Sequence, residues 1–125
     1  MRTTLVVGNW KMNGTVAEAR ALASAVRDGV KRPRGIEVVL CPPFTALAAV
    51  GELLAGTAIG LGAQNCHWEP QGAFTGEISP PMLAELGCSY VIVGHSERRQ
   101  HFGESDSIIN LKLKALLAIS LTPIL

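Results

Sequence analysis

At 125 residues, with 48% hydrophobic and only 17% charged side chains, the sequence carries enough apolar material for one buried core, which excludes a disordered chain. Eleven basic against ten acidic side chains leave a net charge of +1 with no basic stripe or tail, which argues against a nucleic-acid partner. The apolar runs, of which Ala115 to Ile119 is typical, fall short of the ~18 residues needed to cross a bilayer. Arg2 leads directly into a β-like run without a signal-peptide core, so a cytoplasmic chain with no membrane partner is expected.

Thr4-Leu5-Val6-Val7-Gly8 is a short apolar run ending in glycine, the pattern of a strand covered on both faces. Thr15 and Glu18 then form a capping-box pair. Val16, Ala19, Ala23, Val26 and Val30 follow at helical spacing until Pro33 and Gly35. The second strand is Val38 to Cys41. Pro42-Pro43 closes it, Thr45 is the expected cap of a helix through Leu54, and Gly56 precedes a third strand, Ala58 to Gly62.

From Gln64 to Ser79 runs a long polar loop, and a loop of that length in a compact domain usually carries function. Ser79-Pro80-Pro81 starts a short helix ending at Gly87, and Tyr90 to Gly94 is the fourth strand. Ser96-Glu97 reads as a helix start, with Ser96 as cap. Ser105 opens a helix through about Ile119, and Leu121 to Leu125 begins a fifth strand. Strands alternating with helices in units of about 30 residues imply a parallel sheet, in a doubly wound or a barrel fold. One domain over 1–125 is expected.

Three strands end in polar or glycine-bearing segments: Asn9 and Lys11, then Gln64 and Asn65, then His95 and Glu97. The C-terminal ends of parallel strands are where α/β folds bind ligands. A lysine, an asparagine and a histidine gathered there could polarise a carbonyl and hold an anion. Each also has a plain structural reading: a solvated lysine, a turn asparagine, a histidine bonded to backbone. The three cysteines, Cys41, Cys66 and Cys88, lack C-x-x-C spacing and read as buried free thiols, and the adjacent Cys66-His67 makes a poor metal site, so no metal is expected.

Gly8-Asn9-Trp10-Lys11-Met12-Asn13, Gly62-Ala63-Gln64-Asn65, Gly72 to Ser79 and Tyr90 to Arg99 together resemble the triosephosphate isomerase family in order and spacing. The resemblance implies an α/β fold that is half of a TIM (β/α)₈ barrel, with about four βα units plus a fifth strand, since a whole barrel takes ~250 residues. It implies cofactor-free interconversion of dihydroxyacetone phosphate and glyceraldehyde 3-phosphate in glycolysis. Lys11 would hold the substrate phosphate, Asn9 would help to position it, and Glu97 would support Lys11 and His95 without being the principal base. His95 would be the neutral electrophile that polarises the carbonyl, for which triosephosphate isomerase is itself a well-known example.

Phe74, Thr75 and Glu77 resemble the family's dimer loop, with Glu77 and Arg98 expected to pair across an interface. The family's catalytic base and phosphate-cradling loops lie beyond strand five, so these 125 residues alone are expected to be inactive and to bind a triose phosphate weakly. The helix from Ser105 is apolar nearly all round, with Asn110, Lys112 and Lys114 as its polar positions. Its Ile109, Leu113 and Leu116 side is expected to meet a second chain, making a homo-oligomer. The alternative is a non-catalytic, self-assembling half-barrel. Two local departures from the family pattern also stand out: Leu111 stands where the closing helix commonly has a polar residue, and Ile119-Ser120 replaces the usual Ala-Gly, removing the residue favoured at a left-handed helix end.

Overall fold

A computed structural model describes residues 2–31 and 34–125; the helix stop expected at Pro33 lies outside the described residues. The chain divides into two compact units, Met1–Gln64 and Asn65–Leu125.

In the first unit, β1 (Thr4–Asn9), α1 (Val16–Gly29), β2 (Ile36–Cys41), a 3₁₀ turn (Phe44–Ala46), α2 (Leu47–Leu54) and β3 (Gly60–Ala63) follow in order. β1 runs parallel to β2 from Thr4 opposite Ile36 to Asn9 opposite Cys41, and β2 runs parallel to β3 with Val39 opposite Gly60. This register carries Asn9 to the C-terminal end of its strand. The capping box at α1 forms in full, the Thr15 hydroxyl accepting from the Glu18 amide at 3.3 Å while Glu18 reaches back to the Thr15 amide. Ala19 and Ala23 are the fully covered part of the α1 stripe, and Val16 and Val30 at its ends are exposed. Val39, Cys41, Leu47 and Val50 complete this core.

Thr45 does not cap the second helix. It sits inside the 3₁₀ turn, and the helix begins after Ala46 with no side-chain cap, because the turn's own backbone bonds occupy the entry.

The second unit holds the loop up to Ser79, α3 (Pro80–Glu85), β4 (Cys88–Ile92), α4 (Ser96–Phe102), α5 (Asp106–Ala118) and β5 (Thr122–Ile124). β4 and β5 are parallel, with Tyr90 opposite Thr122 and Ile92 opposite Ile124. The Ser79 hydroxyl caps α3 through the Met82 amide, and Pro80 takes a first-turn position where its missing N–H costs nothing. Leu83, Val91, Val93, Leu116 and Cys66 form the core.

α5 begins at its expected Ser105 cap but buries a different face from the expected one. Ile109 (3% exposed) packs on Gly94, Leu116 is fully buried, and Leu113 is half-buried, so Ile109 and Leu116 are core rather than partner contacts. Lys112, expected among the polar positions, is buried as well, while Leu111 and Leu117 face solvent. After α5 the chain turns through Ser120 at φ +63°, a left-handed residue where glycine would be unstrained.

Among the described residues no helix is long and apolar enough to cross a membrane.

Candidate active site

The first unit gathers its polar residues at the ends of β1, β2 and β3. Lys11 follows β1 in the left-handed region, at φ +55°. The Lys11 amide donates to Asn9 Oδ1 at 3.0 Å, and the Asn13 side chain donates to the Trp10 carbonyl at 2.9 Å. The Trp10 amide donates to the Cys41 carbonyl at 3.1 Å, extending the β1–β2 ladder one step past the strand. Gln64, one residue beyond β3, donates from Nε2 to the carbonyls of both Lys11 and Cys41 at 2.9 Å each. Asn9 is thus less a free ligand than the residue that holds the Lys11 amide.

In the second unit His95 is the N-cap of α4, a place that sequence reasoning gave to Ser96. Its Nδ1 accepts from the Glu97 amide at 3.1 Å. A backbone N–H can only donate, so Nδ1 carries no proton in this arrangement and the imidazole proton sits on Nε2. The Glu97 carboxylate lies 3.7 Å from the same Nδ1, but the backbone donor occupies the nitrogen's lone pair and keeps that approach from being an ion pair. Gly94, at φ +67°, sets the turn between β4 and the cap. A side chain there would meet Ile109 at 2.8 Å, so glycine is required on both counts.

Behind α4 lies a charged cluster that sequence reasoning missed. Glu104, on the link between α4 and α5, accepts on Oε2 from Lys112 Nζ at 2.8 Å and from Arg98 Nε. Lys112 also donates to Asn65 Oδ1 at 2.8 Å. Burial alone would raise the Glu104 carboxyl, but the hydrogen bonds from Lys112 and Arg98 outweigh it and hold the group below its ordinary value. The signal was present in the sequence: Lys112 lies three residues after Ile109 and four before Leu116, on the face that those two bury. A lysine on such a face must find an anion.

The residues expected at an interface are placed differently from one another. Phe74 to Glu77 form a turn closed by a 3.0 Å bond from the Glu77 amide to the Phe74 carbonyl, with Thr75 exposed at its tip and Gly76 at φ +88°. The Phe74 ring packs on His67 at 4.3 Å, and the Glu77 carboxylate lies 3.6 Å from His67 Nδ1. Within the chain Arg98 is engaged by Glu104 and lies 4.8 Å over the Phe102 ring. All three cysteines are free and buried; burial pushes the Cys66 thiol up to about 11 and the Cys88 thiol to about 12, so neither is a nucleophile at neutral pH.

These placements coincide with what the chain resembles. The family model for triosephosphate isomerase matches residues 4–125. The triosephosphate isomerase of Chloroflexus aurantiacus is 58% identical over 124 residues, covering 99% of this chain and 50% of that protein. Those of Roseiflexus sp. (58% over 125 residues, 49% of its length) and Aquifex aeolicus (54% over 121 residues, 49% of its length) match similarly. The chain spans about half the length of the curated relatives it matches. Its βα units are therefore those of the first half of a TIM barrel, and with motif segments, strand ends and relatives all in agreement, the chain belongs to the triosephosphate isomerase family.

Proposed function

We propose that this chain supplies the electrophilic half of an aldose–ketose isomerase site for triose phosphates. The observation that carries the reading is the His95 cap: a nitrogen that accepts from the Glu97 amide leaves Nε2–H as a donor for a substrate carbonyl or enediolate oxygen. Lys11 supplies the cation for the phosphate and the developing negative charge and Asn9 fixes its amide, while Glu97, in the first turn of α4, supports His95 through its backbone N–H. No metal or organic cofactor takes part in this proposal, and the two units serve as one domain in the cytoplasm.

We propose further that no carboxylate among the described residues is placed to remove the C–H proton, a contribution of roughly 10²–10⁴-fold, so that the 125 residues as a separate polypeptide turn over no substrate at the family's level. A coupled isomerase assay tests both statements. The 125-residue protein is expected to be silent, whereas its fusion to the second half of the Chloroflexus relative is expected to be active and to lose that activity in Lys11→Ala and His95→Gln. Family-level turnover by the 125-residue protein, or an active fusion indifferent to both substitutions, would overturn the reading.

We also propose that the protein is a homo-oligomer. Leu5, Val6, Leu111 and Leu117 are exposed apolar side chains, and the Thr75 turn presents its tip to solvent. Sedimentation at about 10 μM, in the range where exposed apolar surface associates, should show a species larger than a monomer. A soluble, folded monomer would contradict this.

A further inference from the structure

We propose that Gln64 is a positioning residue for Lys11: its carboxamide clamps the peptide after Lys11 and so keeps the lysine in the left-handed conformation that sets where its side chain leaves the backbone. The proposal rests on Lys11 being the phosphate-holding cation, but the clamp itself can be read without any turnover.

A lysine at φ +55° is in a region that L-residues avoid, and it has no short polar side chain of the kind that lets asparagine or aspartate settle there by bonding locally. Something outside the residue must hold it. Two rotations define the conformation, and they turn the peptide groups on either side of the Lys11 Cα. The first is pinned where the Lys11 N–H donates to Asn9 Oδ1 at 3.0 Å. The second is pinned where the Lys11 carbonyl accepts from Gln64 Nε2 at 2.9 Å. Asn9 lies in β1 two residues away and moves with the segment it holds.

Gln64 is different, because it comes from the end of β3 and is anchored elsewhere. Its second Nε2 proton goes to the Cys41 carbonyl at 2.9 Å, the same oxygen that receives the Trp10 amide. One carboxamide therefore ties the segment after β1 to the ends of β2 and β3 and uses both of its N–H groups on carbonyl acceptors. Among side chains of this size and shape, only the neutral carboxamide offers two such donors. A glutamate has the same shape but no donor, and its oxygens would face two carbonyl oxygens; a methionine fills similar space with neither donor nor charge.

Nuclear magnetic resonance of the isotopically labelled protein tests the clamp. In the wild type, couplings across the hydrogen bonds should connect Gln64 Nε2 to the carbonyl carbons of Lys11 and Cys41. Lys11 should also show the intense intraresidue HN–Hα Overhauser effect of a positive φ. In Gln64→Glu and Gln64→Met that effect should be lost, the left-handed population falling about tenfold, while amide shifts of residues 65–125 stay unchanged. Inorganic phosphate titrated to high concentration should shift the Lys11 Cε resonance in the wild type and shift it less in both variants.

Retention of the Lys11 signature in both variants would overturn the clamp, and an undiminished phosphate response after its loss would overturn the positioning role. If neither variant folds, the wild-type couplings decide, and their absence overturns the proposal. A wild type that shows the clamp but no phosphate response would speak against the reading of Lys11 as the phosphate cation, and not against the clamp.

Discussion

Lys11 and His95 each lie a few residues past the end of a parallel strand, yet they are held in place by opposite means. Around Lys11 the holding groups are neutral amides, Asn9 and Gln64 on either side of a left-handed residue. Around His95 the backbone is relaxed: the imidazole caps its own helix, and that helix is fixed from behind by ions, Arg98 and Lys112 converging on the buried Glu104. A residue whose own conformation is strained needs direct clamps on its peptide groups. A residue that caps a helix needs only the helix to stay put, and buried charge can do that from a distance. The two devices should fail under different insults.

The largest difference should come from Lys112→Met. It leaves the Glu104 carboxylate buried beside Arg98 alone and takes the donor from Asn65 Oδ1, which should cost about 3–5 kcal/mol as read from the urea midpoint. A cost below about 1 kcal/mol would show that the cluster does not anchor α4. Gly94→Ala should follow at about 2–3 kcal/mol, since the new methyl must sit at φ +67° and 2.8 Å from Ile109 Cδ1. Ile109→Val in the same chain should recover part of that loss, and no recovery would place the cost in the backbone alone.

Acid should separate the two anchors next. Because the Glu104 carboxyl is held below its ordinary value, its contribution is complete above the unfolded carboxylate value near pH ~4.3 and is lost as the pH falls through the lower folded value. Stability should therefore decline below about pH 4, and Lys112→Met should flatten that decline. The Lys11 clamp contains no ionising group, so its signature should persist down to the pH at which the chain unfolds. The smallest effect is expected from Ser120→Gly, a gain of about 0.5–1 kcal/mol from relieving a left-handed serine, and a loss there would contradict the strain.

Much of this was legible in the sequence. Apolar runs closed by glycine or proline placed all five strands to within a few residues, and Thr15, Ser79 and Ser105 announced their helices because a capping side chain bonds only to its own first turn. Asn9, Lys11 and His95 stood at strand ends, where chemistry is expected. What was not legible depends on which groups meet across the fold. Thr45 had the chemistry of a cap but not the backbone, because a 3₁₀ turn took the entry to α2. Ser96 was a plausible cap beside a better-placed histidine. The apolar circumference of α5 hid Lys112, whose burial makes sense only once Glu104 and Asn65 are beside it. Gln64 was visible as a polar strand end, but its two acceptors lie 53 and 23 residues away.

The claim that the second unit presents a hydrogen-bond donor to substrate reduces to the position of one proton. Long-range proton–nitrogen correlation of the His95 imidazole at neutral pH reads it directly in the 125-residue protein. The result predicted is a protonated Nε2 beside a bare, hydrogen-bonded Nδ1; a proton on Nδ1, or on both nitrogens, would contradict the account.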